Sequence, residues 1–461
     1  MKIKLIVFIA FFTSLATFSQ KQWTLKECVD EALKKNISIQ QNKLTLELAK
    51  KDVDIAKGNF LPNLGFNNSH SSSFGLSSGV SGLNTTEDRY STRFSLNAGG
   101  TIFNGFRNTN TYKQAQLGVE SSLLDLQKVE NDISLRVVNV YLNVLFAKEN
   151  LEVAKVQYEI SRKQIEAAQV RYEAGVVPKG DLLNVESTAA SNLQAVVTQE
   201  NALDLALLNM SQLLQISADG FDIAAIDVIS PSSNLFYKNS NFVYNKSIDA
   251  MPEIARAKLA IENASYTIDI AKGAFMPTLT YSAGSSTSYF TVIGEPDQRL
   301  KRDENGNPII DTDNNLVYEP FGFYKQLEDQ LSYSIGLNLS IPIFNRFQTK
   351  NRVAQQEINK EVSELRLESE KVNLKQTIEQ AFLDVKTALK TFEAAKVSLE
   401  AQEEAFKNAE ERYNFGAMTQ FDFDQVRTRL VNAQSALIRS KYDYVFKTKV
   451  LQFYAGDLVL E

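Results

Sequence analysis

The sequence predicts an α+β membrane protein made of two tandem structural repeats, in which long helices carry short strands that join a shared transmembrane β-barrel. Three observations predict it: internal echoes in a fixed order, heptad-spaced apolar positions over very long stretches, and one segment of strict apolar/polar alternation as long as a membrane strand.

The echoes come first. Ile55-Ala56-Lys57-Gly58-Asn59-Phe60-Leu61-Pro62-Asn63-Leu64 recurs 215 residues on as Ile270-Ala271-Lys272-Gly273-Ala274-Phe275-Met276-Pro277-Thr278-Leu279, identical at seven of ten positions. Ile102-Phe103-Asn104-Gly105-Phe106 recurs 241 residues on as Ile343-Phe344-Asn345-Arg346-Phe347, so the second copy holds 26 extra residues of loop. Arg171-Tyr172-Glu173-Ala174-Gly175, with Asp181 and Val185, keeps the 241 offset to Arg412-Tyr413-Asn414-Phe415-Gly416, with Asp422 and Val426. Three echoes in one order mean two copies of one unit.

Within the first copy, Ile133, Val137, Val140, Val144, Ala147, Leu151, Ala154 and Tyr158 alternate spacings of four and three, which is a coiled-coil seam. The second copy repeats it at Leu374, Ile378, Ala381, Val385, Ala388, Phe392, Ala395 and Leu399. A helix over 105–174 would be roughly 105 Å long at about 1.5 Å per residue, far more than a globular domain needs. Helices over 23–59 and 181–214 together match that length, so the two short helices are expected end to end beside the long one.

Tyr333-Ser334-Ile335-Gly336-Leu337-Asn338-Leu339-Ser340-Ile341 places an apolar side chain at every second position. A tilted membrane strand needs about 9–11 such residues. Phe94, Leu96 and Ala98 with Ser95 and Asn97 give a weaker version. Each copy then supplies one strand hairpin, with loops near 70–90 and 290–330. Four strands cannot close a barrel and open edges are forbidden in lipid, so oligomerisation is required.

The expected divisions are a signal peptide over 1–19, a first repeat over 20–216, an equatorial linker over 217–246 and a second repeat over 247–461. The first repeat contains a helix, a β-hairpin over 64–103, a long helix over 105–174 and a returning helix over 181–214. The second contains a helix over 251–275, a β-hairpin over 279–344, a long helix over 346–415 and a returning helix over 422–454. The signal reads as Lys2 and Lys4, an apolar run from Leu5 to Phe12 too short to span a membrane, and small residues before Gln20. Its removal moves the formal charge from -6 to -8, which argues against nucleic acid as a partner. The single cysteine, Cys28, sits inside a helical pattern, so neither an internal disulfide nor a lipid anchor at the cut is expected.

Catalytic chemistry is poorly provided for: one histidine, His70, lies in a Ser-rich segment, and no zinc spacing, phosphate-cradling loop or nucleophile elbow occurs. Neither an enzyme nor a bound cofactor or metal is expected. Asp311-Thr312-Asp313-Asn314-Asn315 starts like a calcium loop, but Leu316 stands where that loop needs glycine, and it reads as solvated surface. Tyr90, Tyr281, Tyr289 and Tyr333 read equally well as interfacial anchors and as ordinary strand residues.

With the signal, the duplicated hairpins, the long helices and the paired Gly-then-Asp turns in place, the chain resembles the TolC family of outer-membrane efflux proteins over nearly its whole mature length. The Phe-x-Pro-x-Leu entry and the Phe-Asn exit of each hairpin look like that family's patterns. The resemblance implies a homotrimer whose four strands per chain make a twelve-stranded barrel in outer-membrane lipid, above a long α-helical coiled-coil barrel in the periplasm of a Gram-negative bacterium. It implies a passive exit duct for a tripartite efflux or type I secretion system, loaded by a periplasmic adaptor and an inner-membrane pump of the RND, ABC or MFS type. The alternative is a periplasmic coiled-coil scaffold without channel activity.

It also implies roles for particular residues. Gly175 and Gly416, read alone, are left-handed helix C-caps. With Val176, Val177, Ala417 and Met418 they would also form the tip turns that an adaptor touches. Asp181 and Asp422, read alone, are first-turn acids favoured by the helix dipole. In the resemblance Asp422 lines the narrowest aperture, and Tyr413 bonds across to Asp181 to hold it shut. The family's second aperture acid meets Gln425 here, and its assisting arginine meets Met418, which implies a resting closure that is either weaker or fastened by Arg412 or Arg427 instead.

Overall fold

In the computed structural model, the residues described are 22–78, 84–86, 88–225 and 236–457. The expected signal peptide, the tip of the first hairpin loop and the middle of the linker lie outside them. The strands are β1 (Gln22–Trp23), β2 (Asn63–Ser73), β3 (Leu76–Ser78), β4 (Asn84–Thr86), β5 (Arg89–Phe103), β6 (Asp222–Ile223), β7 (Thr278–Val292), β8 (Gln298–Leu300), β9 (Tyr318–Pro320) and β10 (Ser332–Ser340). The helices are α1 (Leu25–Lys35), α2 (Ile37–Gly58), α3 (Arg107–Glu173), α4 (Lys179–Leu214), α5 (Ser240–Ala250), α6 (Pro252–Lys272), α7 (Phe323–Asp329), α8 (Gln348–Asn414) and α9 (Gln420–Tyr454). Both α3 and α8 have 67 residues.

The chain divides into two compact units. One comprises residues up to Glu47, Glu120–Ala260 and Glu364 onward; the other comprises Leu48–Val119 and Ile261–Ser363.

The second unit contains an antiparallel sheet in the order β10-β7-β5-β2. In the first hairpin Asn63 pairs with Gly99 and Ser71 with Ser91; in the second Thr278 pairs with Ser340 and Ser286 with Ser332. The offsets of 215 and 241 read from the sequence therefore hold in the strand register itself. Phe94, Leu96 and Ala98 face Asn68, Phe66 and Leu64 across the first hairpin, and Ile335, Leu337 and Leu339 face Ala283, Tyr281 and Leu279 across the second. Every residue of β2 and β10 is exposed, whereas β5 and β7 are mostly half-buried. The extra loop of the second copy is ordered by β8, β9 and α7. Within it Gln326 is buried and Arg299 bridges Glu319 and Asp329.

The first unit is built on two cores related by the repeat. In one, Cys28, Val29 and Ala32 of α1 pack on Val137, Tyr141 and Val144 of α3 and on Met210 and Leu214 of α4. In the other, Val243 of α5 packs with Ile378, Val385, Ala388 and Leu451. All expected seam residues from Ile133 to Tyr158 and from Leu374 to Leu399 are buried or half-buried. Burial of such a stripe, rather than helix propensity, holds the helices.

Two element limits differ from expectation. The helix expected over 23–59 is two helices, because Asn36 leaves the helix (ψ 127°) and its Oδ1 accepts from Ser38 N at 2.9 Å. The second copy breaks at the same place, where Met251 (ψ 126°) precedes Pro252. Proline cannot donate the hydrogen bond that would continue α5. The linker expected over 217–246 also contains the start of α5. That helix is the repeat of α1, capped by Asn239 onto Phe242 N (2.9 Å) as Thr24 and Glu27 cap α1 by a reciprocal box.

Between the repeats, β1 and β6 pair in parallel, Gln22 with Asp222 and Trp23 with Ile223. Tyr141 Oη reaches both the Trp23 carbonyl (3.2 Å) and the Ala224 carbonyl (2.6 Å). Lys148 Nζ donates to the Ile223 carbonyl at 2.8 Å and pairs with Asp222 at 2.5 Å.

Candidate functional site

The residues singled out from the sequence gather at two helical turns of the first unit, one joining α3 to α4 and the other joining α8 to α9. Both turns have the same backbone. Gly175 and Gly416 sit at φ +72°, and their N–H groups donate to the carbonyls of Tyr172 (2.9 Å) and Tyr413 (3.0 Å). The next N–H groups, of Val176 and Ala417, donate to the carbonyls of Arg171 (2.9 Å) and Arg412 (2.8 Å). This is a Schellman closure, which spends the orphan carbonyls of the helix end and requires a left-handed residue at the glycine.

Each turn exposes its apolar residues to solvent. Val176 is 71% and Phe415 88% exposed, and Gly175, Gly416 and Ala417 are exposed as well; Val177 and Met418 are half-buried.

The returning helices start differently. Thr419 caps α9: its Oγ1 accepts from Asp422 N (3.2 Å) and donates to Asp422 Oδ2 (2.8 Å), which leaves Asp422 exposed in the first turn. The N-cap of α4 is Pro178, which offers no side-chain bond, and Asp181 is half-buried in that first turn.

Tyr413 is stacked on Phe423, ring centroids 4.8 Å apart, and the Arg171 guanidinium carbon lies over the Tyr413 ring at 5.7 Å from its centroid. Arg171 Nη2 also donates to the Asn414 carbonyl at 3.4 Å. Burial pushes the Tyr413 phenol above its ordinary pKa; Arg171 opposes this, while Asp424 and Asp181 add to it. Asp181 is thus close enough to act on Tyr413 by charge, but among the described residues no hydrogen bond joins them. The ring is held instead by stacking and by Arg171.

Of the two arginines considered for the closure, Arg412 is exposed and makes no side-chain hydrogen bond or ion pair among the described residues. Arg427 is buried: it pairs with Asp424 at 2.7 Å and donates from Nη1 to Gln164 Oε1 (2.7 Å) and Ser161 Oγ (3.3 Å) on α3. Burial pulls its guanidinium pKa down, with Asp424 opposing. The pair is close but off-axis, since Asp424 Oδ1 accepts no aligned hydrogen bond. Asn192 and Thr188 of α4 complete the cluster, donating to Ser161 Oγ (2.5 Å) and Asp424 Oδ2 (3.4 Å). Phe423, Asp424, Ser161 and Gln164 were not foreseen as one constellation. Only the polar Gln157, Ser161 and Gln164 in an otherwise apolar seam region hinted at it.

No group of three or more metal-ligating side chains occurs among the described residues, and none of their helices is long and apolar enough to cross a membrane.

Comparison with known proteins agrees with this architecture. The outer membrane efflux protein family matches residues 28–214 and 243–457, one segment in each repeat. The chain is 22% identical over 448 residues to the outer membrane protein TolC of Salmonella enteritidis, covering 97% of this chain and 84% of that protein. It is 20% identical over 440 residues to the outer membrane efflux protein BepC of Brucella suis, covering 95% and 86%. Among solved structures, the CmeC outer membrane channel of Campylobacter jejuni superposes with a TM-score of 0.70 at 19% identity, covering 95% of this chain and 86% of that one. VceC of Vibrio cholerae superposes with a TM-score of 0.72 at 16% identity, covering 94% and 96%. The chain belongs to the outer membrane efflux protein family, and its place is that of an outer-membrane exit duct of efflux or secretion systems, extending into the periplasm.

Proposed function

We propose that three copies of the chain form the conducting duct, that its tip turns are the resting gate, and that a periplasmic adaptor and an inner-membrane pump open and load it. The observation that carries the reading is a four-stranded sheet with two bare edges, since lipid tolerates β-structure only when every backbone group is paired. Three chains supply twelve strands and no edge. The repeat divisions follow the same plan, with residues 20–216 as the first copy and the second starting by the Asn239 cap of α5, the repeat of Thr24 before α1.

At the tip, Asp422 is exposed on the first turn of α9, free of any basic partner among the described residues. Three such carboxylates around an axis make an anionic ring that holds cations and bars other traffic. Asp181 and Tyr413 flank it. The exposed turns at Gly175, Val176 and Val177 and at Gly416, Ala417 and Met418 offer apolar contact to the adaptor. Passage is passive, and the pump, of the RND, ABC or MFS type, provides the energy. Relatives are named for pyoverdine export and for alkaline protease secretion, which brackets the cargo between a small molecule and a polypeptide.

Single-channel recording in planar bilayers tests the gate. Asp422→Ala is expected to lift block by divalent cations from the periplasmic side; block of undiminished strength would remove Asp422 from the aperture.

A further inference from the structure

The strands β2, β5, β7 and β10 sort their side chains between two faces. The register sets Leu64 and Phe66 of β2, Leu96 of β5, Tyr281 of β7 and Ile335 and Leu337 of β10 on one of them. The other is built from the odd positions of β2 and of β5 as far as Thr101, and from the even positions of β7 as far as Ser288 and of β10. Every residue there is serine, threonine, asparagine or glycine, except Arg89 and Arg93. These two are also the only Lys, Arg, Asp or Glu anywhere in the four strands. A chain with 55 acids against 49 bases has placed two cations and no carboxylate on this face.

Parity rules out lipid anchoring for these arginines. An anchoring arginine snorkels from the apolar face, whereas Arg93 shares its row with Ser69 and Ser288 on the polar one. Arg93 is exposed and makes no hydrogen bond or ion pair among the described residues. The Arg89 guanidinium carbon lies over the ring of Phe290 at 5.6 Å from its centroid, a cation–π contact on the same side of the sheet.

Both arginines lie at the loop end of the sheet. The helices join the strands at the ends marked by Asn63, Phe103, Thr278 and Ser340, and Arg93 stands one row past Ser332, where β10 begins. On the apolar face near that height Tyr90 and Tyr289 meet edge to face at 6.3 Å, an aromatic band of the sort that marks a lipid boundary. Acids of the adjoining loop are already engaged: Arg299 holds Glu319 and Asp329, and the Tyr289 hydroxyl donates to Asp297 at 2.7 Å. The second repeat does not double the arrangement, since Gln330 and Ser334 occupy the places of Arg89 and Arg93.

We propose that Arg93, with Arg89 outward of it, forms a cationic collar just inside the outer mouth of the barrel and favours cargo that carries carboxylate or phosphate groups. The inference rests on the duct reading above and adds its selectivity. In a three-chain ring the polar faces line water, and three arginine pairs converge on the lumen. Twelve strands enclose more room than the eight-stranded barrels that side chains fill and less than the sixteen-stranded porins. Cargo therefore passes within one Debye length of a guanidinium, about 8 Å at physiological ionic strength. Guanidinium groups grip carboxylate and phosphate oxygens two at a time, and the hydroxyls of Ser69, Ser71 and Ser91 stand in the same and the adjoining row as further donors.

Reversal potentials of the purified full-length protein in planar bilayers under a KCl gradient test the collar. At about 10 mM salt, where fields carry about 30 Å, Arg93→Ser should lower the chloride-to-potassium permeability ratio about two- to threefold. At about 1 M, where they carry about 3 Å, the two proteins should agree. Arg93→Lys should keep the wild-type ratio. Pyrophosphate added on the loop side should reduce the wild-type current and lose most of that block in Arg93→Ser. In Arg93→Cys, with native Cys28 buried, a trimethylammonium thiosulfonate reagent should restore the ratio and a sulfonate one depress it further. Those two labels decide the matter should Arg93→Ser not assemble. Equal ratios at low salt, equal pyrophosphate block, or an Arg93→Cys thiol that neither reagent reaches, in channels of normal conductance, would overturn the collar and leave the duct intact. Wild-type protein that conducts nothing overturns both.

Discussion

The two helical tips close with one backbone and hold with different side chains. Gly175 and Gly416 make the same turn, yet α4 begins at Pro178 without a side-chain cap, whereas Thr419 binds both the amide and the carboxylate of Asp422. Arg427 anchors the second tip to α3, while its counterpart by the repeat, Glu186, is exposed, as is Leu183, the counterpart of Asp424. Duplication has kept what the chain's own geometry demands and let the anchoring diverge. The second tip is the more tightly fastened.

The largest break in that comparison is expected at Arg427. Arg427→Ala strands Asp424 and empties a buried site, with a cost toward the lower end of about 3–5 kcal/mol because Asp424 is partly solvated. Hydrogen exchange over 157–164 and 420–430 should accelerate, while Glu186→Ala leaves exchange in α4 unchanged. Equal responses would mean that the tips are fastened alike.

A smaller effect is expected from Thr419→Ala, about 1 kcal/mol, read as faster exchange of the Asp422 amide. Pro178→Ala, with no side-chain cap to lose, should do nothing comparable at Asp181.

The smallest effect extends the comparison to the two cores. Burial works against ionisation of Asp222, but hydrogen bonds from Lys148, Gln22 and the Ile223 amide hold its carboxyl below the usual range. A depressed carboxyl stabilises the fold above its unfolded pKa, about 3.9, and that contribution is lost as pH falls through the lower folded value. Asp222→Asn should flatten the acid side of the stability profile for the first core, measured by exchange at Cys28 and Val29, and leave the second core's profile unchanged.

Much of this was legible in the residues. The three echoes carried the repeat into the strand register, and the alternation at Tyr333–Ile341 marked β10. The interruption at Asn36 was not legible, since asparagine breaks a helix only where its side chain finds a backbone partner. Pro252, at the equivalent place in the second copy, carried the stronger signal. The Arg427 cluster was hidden because its members come from three helices far apart in the chain. Resemblance suggested a bond between Tyr413 and Asp181, and the stack on Phe423 beneath Arg171 takes its place, which pattern alone could not rank.

The parallel pairing of β1 with β6 has a consequence for biogenesis. A chain that leaves the secretion machinery N-terminus first presents Trp23 long before Ala224, its hydrogen-bond partner, has emerged. The first core cannot finish until some two hundred further residues have crossed, and non-local closures of this kind are slow. Meanwhile α1 and α3 would expose their greasy stripes in the periplasm, the interval when a holding chaperone matters most.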